Sequence, residues 1–181
     1  FLFCFVLAKA LNVHSQPPIQ WQRSYGGSDV DRGTKVLSLT DGGYLLVGTT
    51  SSTDLDATSC MSSISRIWVL RLDAQGELIW QRCYGGSGNQ TFPYVTATSD
   101  GGFAIACRTN STDGDVSTPL GGTDIWVFKI NLAGDLLWER SLGGIAADEC
   151  RGIVSGDDGS LFVFGYTFSD ELPGYHLPDG N

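Results

Sequence analysis

Histidine is almost absent from this chain, with two in 181 residues, His14 and His176, one near each end. The body of the sequence therefore holds no Ser/His or Cys/His catalytic pair, and no G-x-S-x-G elbow stands in for one. Gly85-Gly86-Ser87-Gly88 misses that spacing. Basic residues are also scarce: 11 Lys and Arg face 20 Asp and Glu, for a net charge of −9 and a pI near 4.4. Such a surface repels a phosphate backbone, so no nucleic-acid partner is expected. The cysteines contain no C-x-x-C and none recurs at one position of the repeat below, which leaves zinc without a ligand framework. The longest apolar run, Phe1–Leu7, is far short of the ~18 residues of a membrane span. No span is expected in the mature chain.

Tryptophan, by contrast, recurs in register. Trp21, Trp80 and Trp138 open W-Q-R-S-Y-G-G, W-Q-R-C-Y-G-G and W-E-R-S-L-G-G, spaced 59 and 58 residues apart. Trp68 and Trp126 lie 58 apart in I-W-V-L-R-L and I-W-V-F-K-I. Repeats of this period signal a solenoid, a propeller or an array. The step from Trp to the next Asp-Gly is 20 residues in all three copies, and from the I-W tryptophan to the next W-x-R it is 12. The one-residue change in period therefore lies in the Ser/Thr/Asp-rich stretch between them. Length varies where a loop crosses a surface and is fixed where strands hold register.

Each unit reads as four strands. In the first copy they are Thr34–Leu39, Tyr44–Thr49, Ile67–Leu72 and Leu78–Tyr84; Phe103–Ala106 and Leu161–Phe164 repeat the second. Asp41-Gly42 predicts a primed hairpin turn, with positive φ at its centre. Asp73-Ala74-Gln75-Gly76 and Asn131-Leu132-Ala133-Gly134 predict a type I turn followed by a left-handed residue. No helix is expected after residue 16. The expected fold is all-β: part of a β-propeller with four-stranded antiparallel blades, two full repeats and a partial third.

The expected boundaries follow. Residues 1–15 read as the remnant of a secretory signal peptide, an apolar run then Ala8-Lys9-Ala10 and Val13-His14-Ser15, cut after Ser15, with Ala10 the alternative. Residues 16–26 form an N-terminal closing strand, because Ile19–Tyr25 matches the fourth strand of a unit; its sheet partners are expected beyond residue 181. Blade 1 is 27–85, blade 2 is 86–143 and a partial blade 3 is 144–181. That is fewer than the four blades of the smallest ring, so the chain reads as a fragment of a longer protein.

The alternation of strands places the variable loops and the Gly-Gly connections at one end of the sheets. That end gathers Asp54, Asp56, Asp113, Asp115, Asp170 and Glu171, with Asp31 and Asp148 following Gly-Gly. Asp31, Asp54, Asp56 and Asp148 are candidates for a ligand face, since binding residues concentrate on loops carried by rigid scaffolds. Asp113-Gly114-Asp115 offers oxygen ligands to calcium, although the other positions of an EF-hand are missing. No other cofactor and no catalytic residue is expected. Asp41, Asp100 and Asp158 are accounted for by their turns, and Trp68, Trp80, Trp126 and Trp138 by packing between blades. Cys83 and Cys107 read as small buried hydrophobes; the pairing of Cys60 and Cys150 is left open.

The string Ser111–Gly144, with S-T-D-G-D-V, G-G-T-D-I-W-V-F-K-I and G-D-L-L-W-E-R-S-L-G-G, resembles a repeat of large secreted bacterial proteins. In that repeat T-x-D-G-G-Y, D-x-W-V-x-K and W-x-x-x-x-G-G recur, and the resemblance spans residues 19–181. It implies a propeller, export or cell-surface display, and in many relatives a sorting domain for type IX secretion. It implies no catalytic residues. The function it favours is a binding or adhesion scaffold for an extracellular ligand, carbohydrate or protein. The alternatives are the non-catalytic part of a larger secreted enzyme such as a glycoside hydrolase, or a structural surface component.

Overall fold

The computed structural model describes residues 18–61 and 64–170 in full and the backbone of 2–7. The expected cleavage region, His14, Glu171 and His176 lie outside the described residues. The strands are β1 (Leu2–Leu7), β2 (Ile19–Tyr25), β3 (Asp31–Ser38), β4 (Tyr44–Thr50), β5 (Arg66–Leu72) and β6 (Leu78–Tyr84). There follow β7 (Gln90–Ala97), β8 (Phe103–Thr109), β9 (Asp124–Ile130), β10 (Leu136–Leu142), β11 (Asp148–Ser155) and β12 (Leu161–Thr167). They form two four-stranded antiparallel sheets, β3-β4-β5-β6 and β7-β8-β9-β10, and two hairpins, β1-β2 and β11-β12. The protein is all-β, as the repeat predicts; among the described residues its one helical element is the 3-10 turn Leu55–Ala57. The first strand of each sheet starts earlier than expected, because its ladder runs on through polar residues to Asp31↔Thr50 and Gln90↔Thr109.

One turn type differs from expectation. The Gly42 amide donates to the Leu39 carbonyl at 3.0 Å, and Gly42 takes φ +85 while Asp41 does not take a positive φ. This is a type I turn closed by a left-handed glycine, not a two-residue primed turn. Only the residue without a Cβ then occupies the left-handed region, and Asp41 is spared it. Gly101 and Gly159 repeat it at φ +89 and +83, and Gly76 and Gly134 close the second hairpins at +76 and +81.

Strands apolar on both sides need a sheet on each, and the structure supplies them. Leu45, Val47, Ile67, Val69 and Tyr84 of the first sheet bury against Phe103, Ile105, Trp126, Phe128 and Ile130 of the second. The other face of the first sheet, with Leu46, Trp68, Leu70 and Leu72, receives Trp21 and Tyr25 of β2. Ala104, Ala106 and Val127 of the second sheet meet Cys150 and Ile153 of β11. The sheets stack in one sense, each turning its I-W tryptophan toward the unit before it, and β7 lies against both β3 and β11.

A clamp on β2, repeated on β6, reinforces the stack. Trp21, Arg23 and Tyr25 alternate along β2 and so share a face. The Trp21 indole N–H donates to the Ala74 carbonyl at 3.1 Å, Arg23 pairs with Glu77 and the Tyr25 hydroxyl donates to the Gly76 carbonyl. One unit on, Trp80 donates to Leu132 at 3.1 Å, Arg82 pairs with Asp135 at 3.1 Å and Tyr84 donates to Gly134 at 2.6 Å. W-x-R-x-Y is thus a grip on the next unit's second turn. Burial raises the Tyr84 phenol far above its ordinary value, so it acts as a donor at any ordinary pH.

Two findings depart from the sequence reading. First, β1, in the segment read as a leader, pairs with β2. Leu2 pairs with Tyr25 and the register shifts between Val6 and Leu7; β5 and β6 pair Ile67 with Tyr84 and shift between Arg71 and Leu72. Leu2–Leu7 therefore holds a third-strand position, a role open to any short apolar run. Second, Cys83 is not a lone buried thiol but forms a disulfide with Cys60, Cα–Cα 5.2 Å. Cys107 is free and buried, as expected; so is Cys150.

Candidate functional site

The loop end is built on backbone amides that no strand satisfies. The Gly-Gly connections of the first two units each leave a row of N–H groups pointing at the variable loop of their own unit, and alternate loop residues cap them. In the first unit Ser52, Asp54 and Asp56 accept from Asp29, Ser28 and Gly26 at 3.0, 2.8 and 3.1 Å. In the second, Ser111, Asp113 and Asp115 accept from Gly88, Ser87 and Gly85 at 2.9, 2.6 and 2.9 Å. The loop presses so close that a Cβ on Gly27 or Gly86 would fall inside 3.0 Å of Ser52 and Asp54, or of Asp113. That close approach is the physical need for the glycine pair.

The calcium candidates Asp113 and Asp115 are therefore amide caps, equivalent to Asp54 and Asp56. Hydrogen bonds from Ser87, and from Ser28, hold the carboxyls of Asp113 and Asp54 below their ordinary range. Among the described residues no three His, Cys, Asp or Glu side chains are placed to hold a metal ion. Asp31 and Asp148 lie inside the fold, not on its rim. Asp31 accepts from Gly27 N–H at 2.8 Å and from the Thr50 and Ser52 hydroxyls. Asp148 accepts from Gly144 N–H at 2.9 Å and Ser169 at 3.1 Å. At the opposite end, Asp41 pairs with Arg71, and Asp100 is lowered to about 2 by hydrogen bonds from Lys129 and Thr98.

Asp124 is the carboxylate that sequence reasoning missed. It and Asp148 both fall within 3.0 Å of the point where a Gly143 Cβ would stand, and each keeps one buried oxygen without a hydrogen-bond partner. Burial pushes the Asp124 carboxyl up, the charge of Asp148 adds to this, and the Leu120 N–H opposes it. The folded state thus holds this proton more tightly than the unfolded chain does. Its contribution to stability is present at low pH and lost as pH rises through the raised value. Asp124→Asn is expected to remove that loss, so that the variant gains stability relative to the wild type on going from pH 4 to pH 7. Urea midpoints at pH 4 and pH 7 check it; an equal change at both would sink the assignment.

Sequence reasoning also missed two strained apolar residues. Among the described residues, Leu55 and Phe92 are the non-glycine residues with positive φ, +51 and +53, and both side chains are exposed, 66% and 57%. Val30, Met61 and Ile145 stand out from the same end. The available signal was a lone apolar residue inside a polar run, as in Thr53-Asp54-Leu55-Asp56. Beside the second loop lies a polar cleft of about 440 Å³ lined by Ser117, Thr118, Leu120, Glu139, Arg140 and Ser141 among others.

No protein-family profile matches the chain. It is similar to the regulatory protein FlaEY of Caulobacter vibrioides, 31% identical over 120 residues. That stretch takes in 61% of this chain and 12% of FlaEY. No helix of the described residues is long and apolar enough to cross a membrane.

Proposed function

We propose that the stacked sheets are blades of a β-propeller, and that the protein is an exported binding or adhesion scaffold whose loop end meets an extracellular carbohydrate or protein. The observation that carries this reading is the pair Leu55 and Phe92. Large apolar side chains are held in solvent on left-handed backbone, a conformation that costs on the order of 1–3 kcal/mol and clusters at functional sites. Beside Leu55, the carboxylates of Asp54 and Asp56 are engaged with the backbone amides of Ser28 and Gly26. The Cys60–Cys83 disulfide supports export, because such bonds persist in oxidising compartments. Secretion or surface display, by a type IX or another route, belongs to the same proposal.

Glycan arrays and extracellular-protein panels test it with the wild type and with Leu55→Asn and Phe92→Asn. Asparagine tolerates positive φ, so both variants are expected to melt at or above the wild-type temperature while ligand binding falls about tenfold. Binding unchanged in both variants, or no ligand on either platform, would favour a structural surface role.

A further inference from the structure

We propose that hairpin β11-β12 is a receptor for one more hairpin of this chain's own repeat type, equivalent to β5-β6 and β9-β10, added to the free edge of β12. Four separate features each lack the same partner. They can be read off by equivalence with contacts made in the two complete units.

The first is the edge. β4 and β8 are each hydrogen-bonded on both sides, whereas β12 pairs with β11 alone among the described residues. The second is a cleft of about 230 Å³ beside that edge, whose lining includes Ile125, Leu142, Val163 and Gly165. By repeat position these match Ile67, Tyr84, Ile105 and Cys107, which share one buried cluster with Trp126. The I-W tryptophans stand opposite Gly48 and Cys107 in their ladders, so the same register sets an incoming tryptophan opposite Gly165. The cleft is the seat of an indole.

The third feature is the clamp. Trp138 and Arg140 repeat Trp21/Arg23 and Trp80/Arg82, yet neither has a hydrogen-bond partner among the described residues, and Trp138 is 42% exposed. Their counterparts hold a carbonyl and an acid of the following unit's second turn. The fourth is Asp158. Asp41 pairs with Arg71 and Asp100 with Lys129, both on third strands, while Asp158 is bonded by Ser160 alone.

Together these specify the occupant's chemistry. Its first strand carries a tryptophan for the cleft and a base for Asp158; its turn offers a backbone carbonyl to Trp138 and a carboxylate to Arg140. Strand addition of this kind draws affinity from main-chain hydrogen bonds and specificity from side-chain pockets. The inference rests on the stacking seen between the described sheets and stands whatever ligand the loop end takes.

The test titrates the whole chain with a synthetic peptide of residues 124–144, read by fluorescence anisotropy against a scrambled control. Saturable binding is expected. Trp126→Ala in the peptide should weaken it about tenfold or more. Arg140→Glu in the chain should weaken it about threefold, and a peptide carrying Asp135→Lys should restore it. That charge-swap rescue places the hairpin against Arg140 and not in exchange with β9-β10 against Arg82. No binding above the scrambled peptide, indifference to Trp126→Ala, or no rescue would overturn the proposal. So would sedimentation showing that a second copy of the chain already covers β12.

Discussion

Replacing Trp126 by alanine is expected to cost about 3–5 kcal/mol, the largest effect of any single substitution considered. Its side chain is fully buried, stacks on Phe128 with ring centroids 4.2 Å apart, and donates from the indole nitrogen to Glu139 at 2.7 Å. Truncation opens a cavity between two sheets and leaves a half-buried carboxylate short of a donor. Trp138→Ala is the control, since it removes the same side chain from a solvent-facing site; it should cost about 1 kcal/mol or less. Urea midpoints decide between them. Two probes should be followed together, because stacked repeats can unfold in steps. Equal losses would mean that the sheets do not bury each other as described.

Removing the disulfide, by Cys60→Ser with Cys83→Ser, is expected to cost about 3 kcal/mol for a closure of this size. The two cysteines are 23 residues apart and tie the first variable loop to β6. Reductant should lower the wild-type urea midpoint and leave the double variant untouched. A midpoint indifferent to reductant would mean the bond does not stabilise the fold. The second unit shows what replaces it. Ser59 donates to Gln81 and Ser117 to Glu139, which aligns the loops and puts Thr118 and Ser141 where Cys60 and Cys83 stand. The Ser141 hydroxyl is buried without a partner, and the polar cleft opens beside it.

Most of the fold was legible because its signals are local. Trp68 and Trp126 mark strands apolar on both faces, and Asp-Gly and Gly76/Gly134 mark turns, all within a few residues of sequence. Ile19–Tyr25 was read to the residue for the same reason. What escaped is set by contacts across tens of residues. Cys60 has no counterpart in the repeat, so nothing pointed to Cys83. Asp113 and Asp115 look like cation ligands in isolation and become caps only once Gly85 and Ser87 are folded over them. Asp124 seemed part of the I-W strand, and its encounter with Asp148 arises only at the junction of two units. Leu55 and Phe92 owe their backbone conformation to the surrounding loop and bulge, which no propensity scale records.

The clamp formed by Trp, Arg and Tyr always reaches forward along the chain, about 50 residues ahead, and never back. β2 and β6 therefore present the same three donors downstream, and β10 repeats the tryptophan and arginine with Leu142 in place of the tyrosine. Excising or duplicating one whole period rejoins matching halves, while a deletion of part of a period sets tryptophan against the wrong turn.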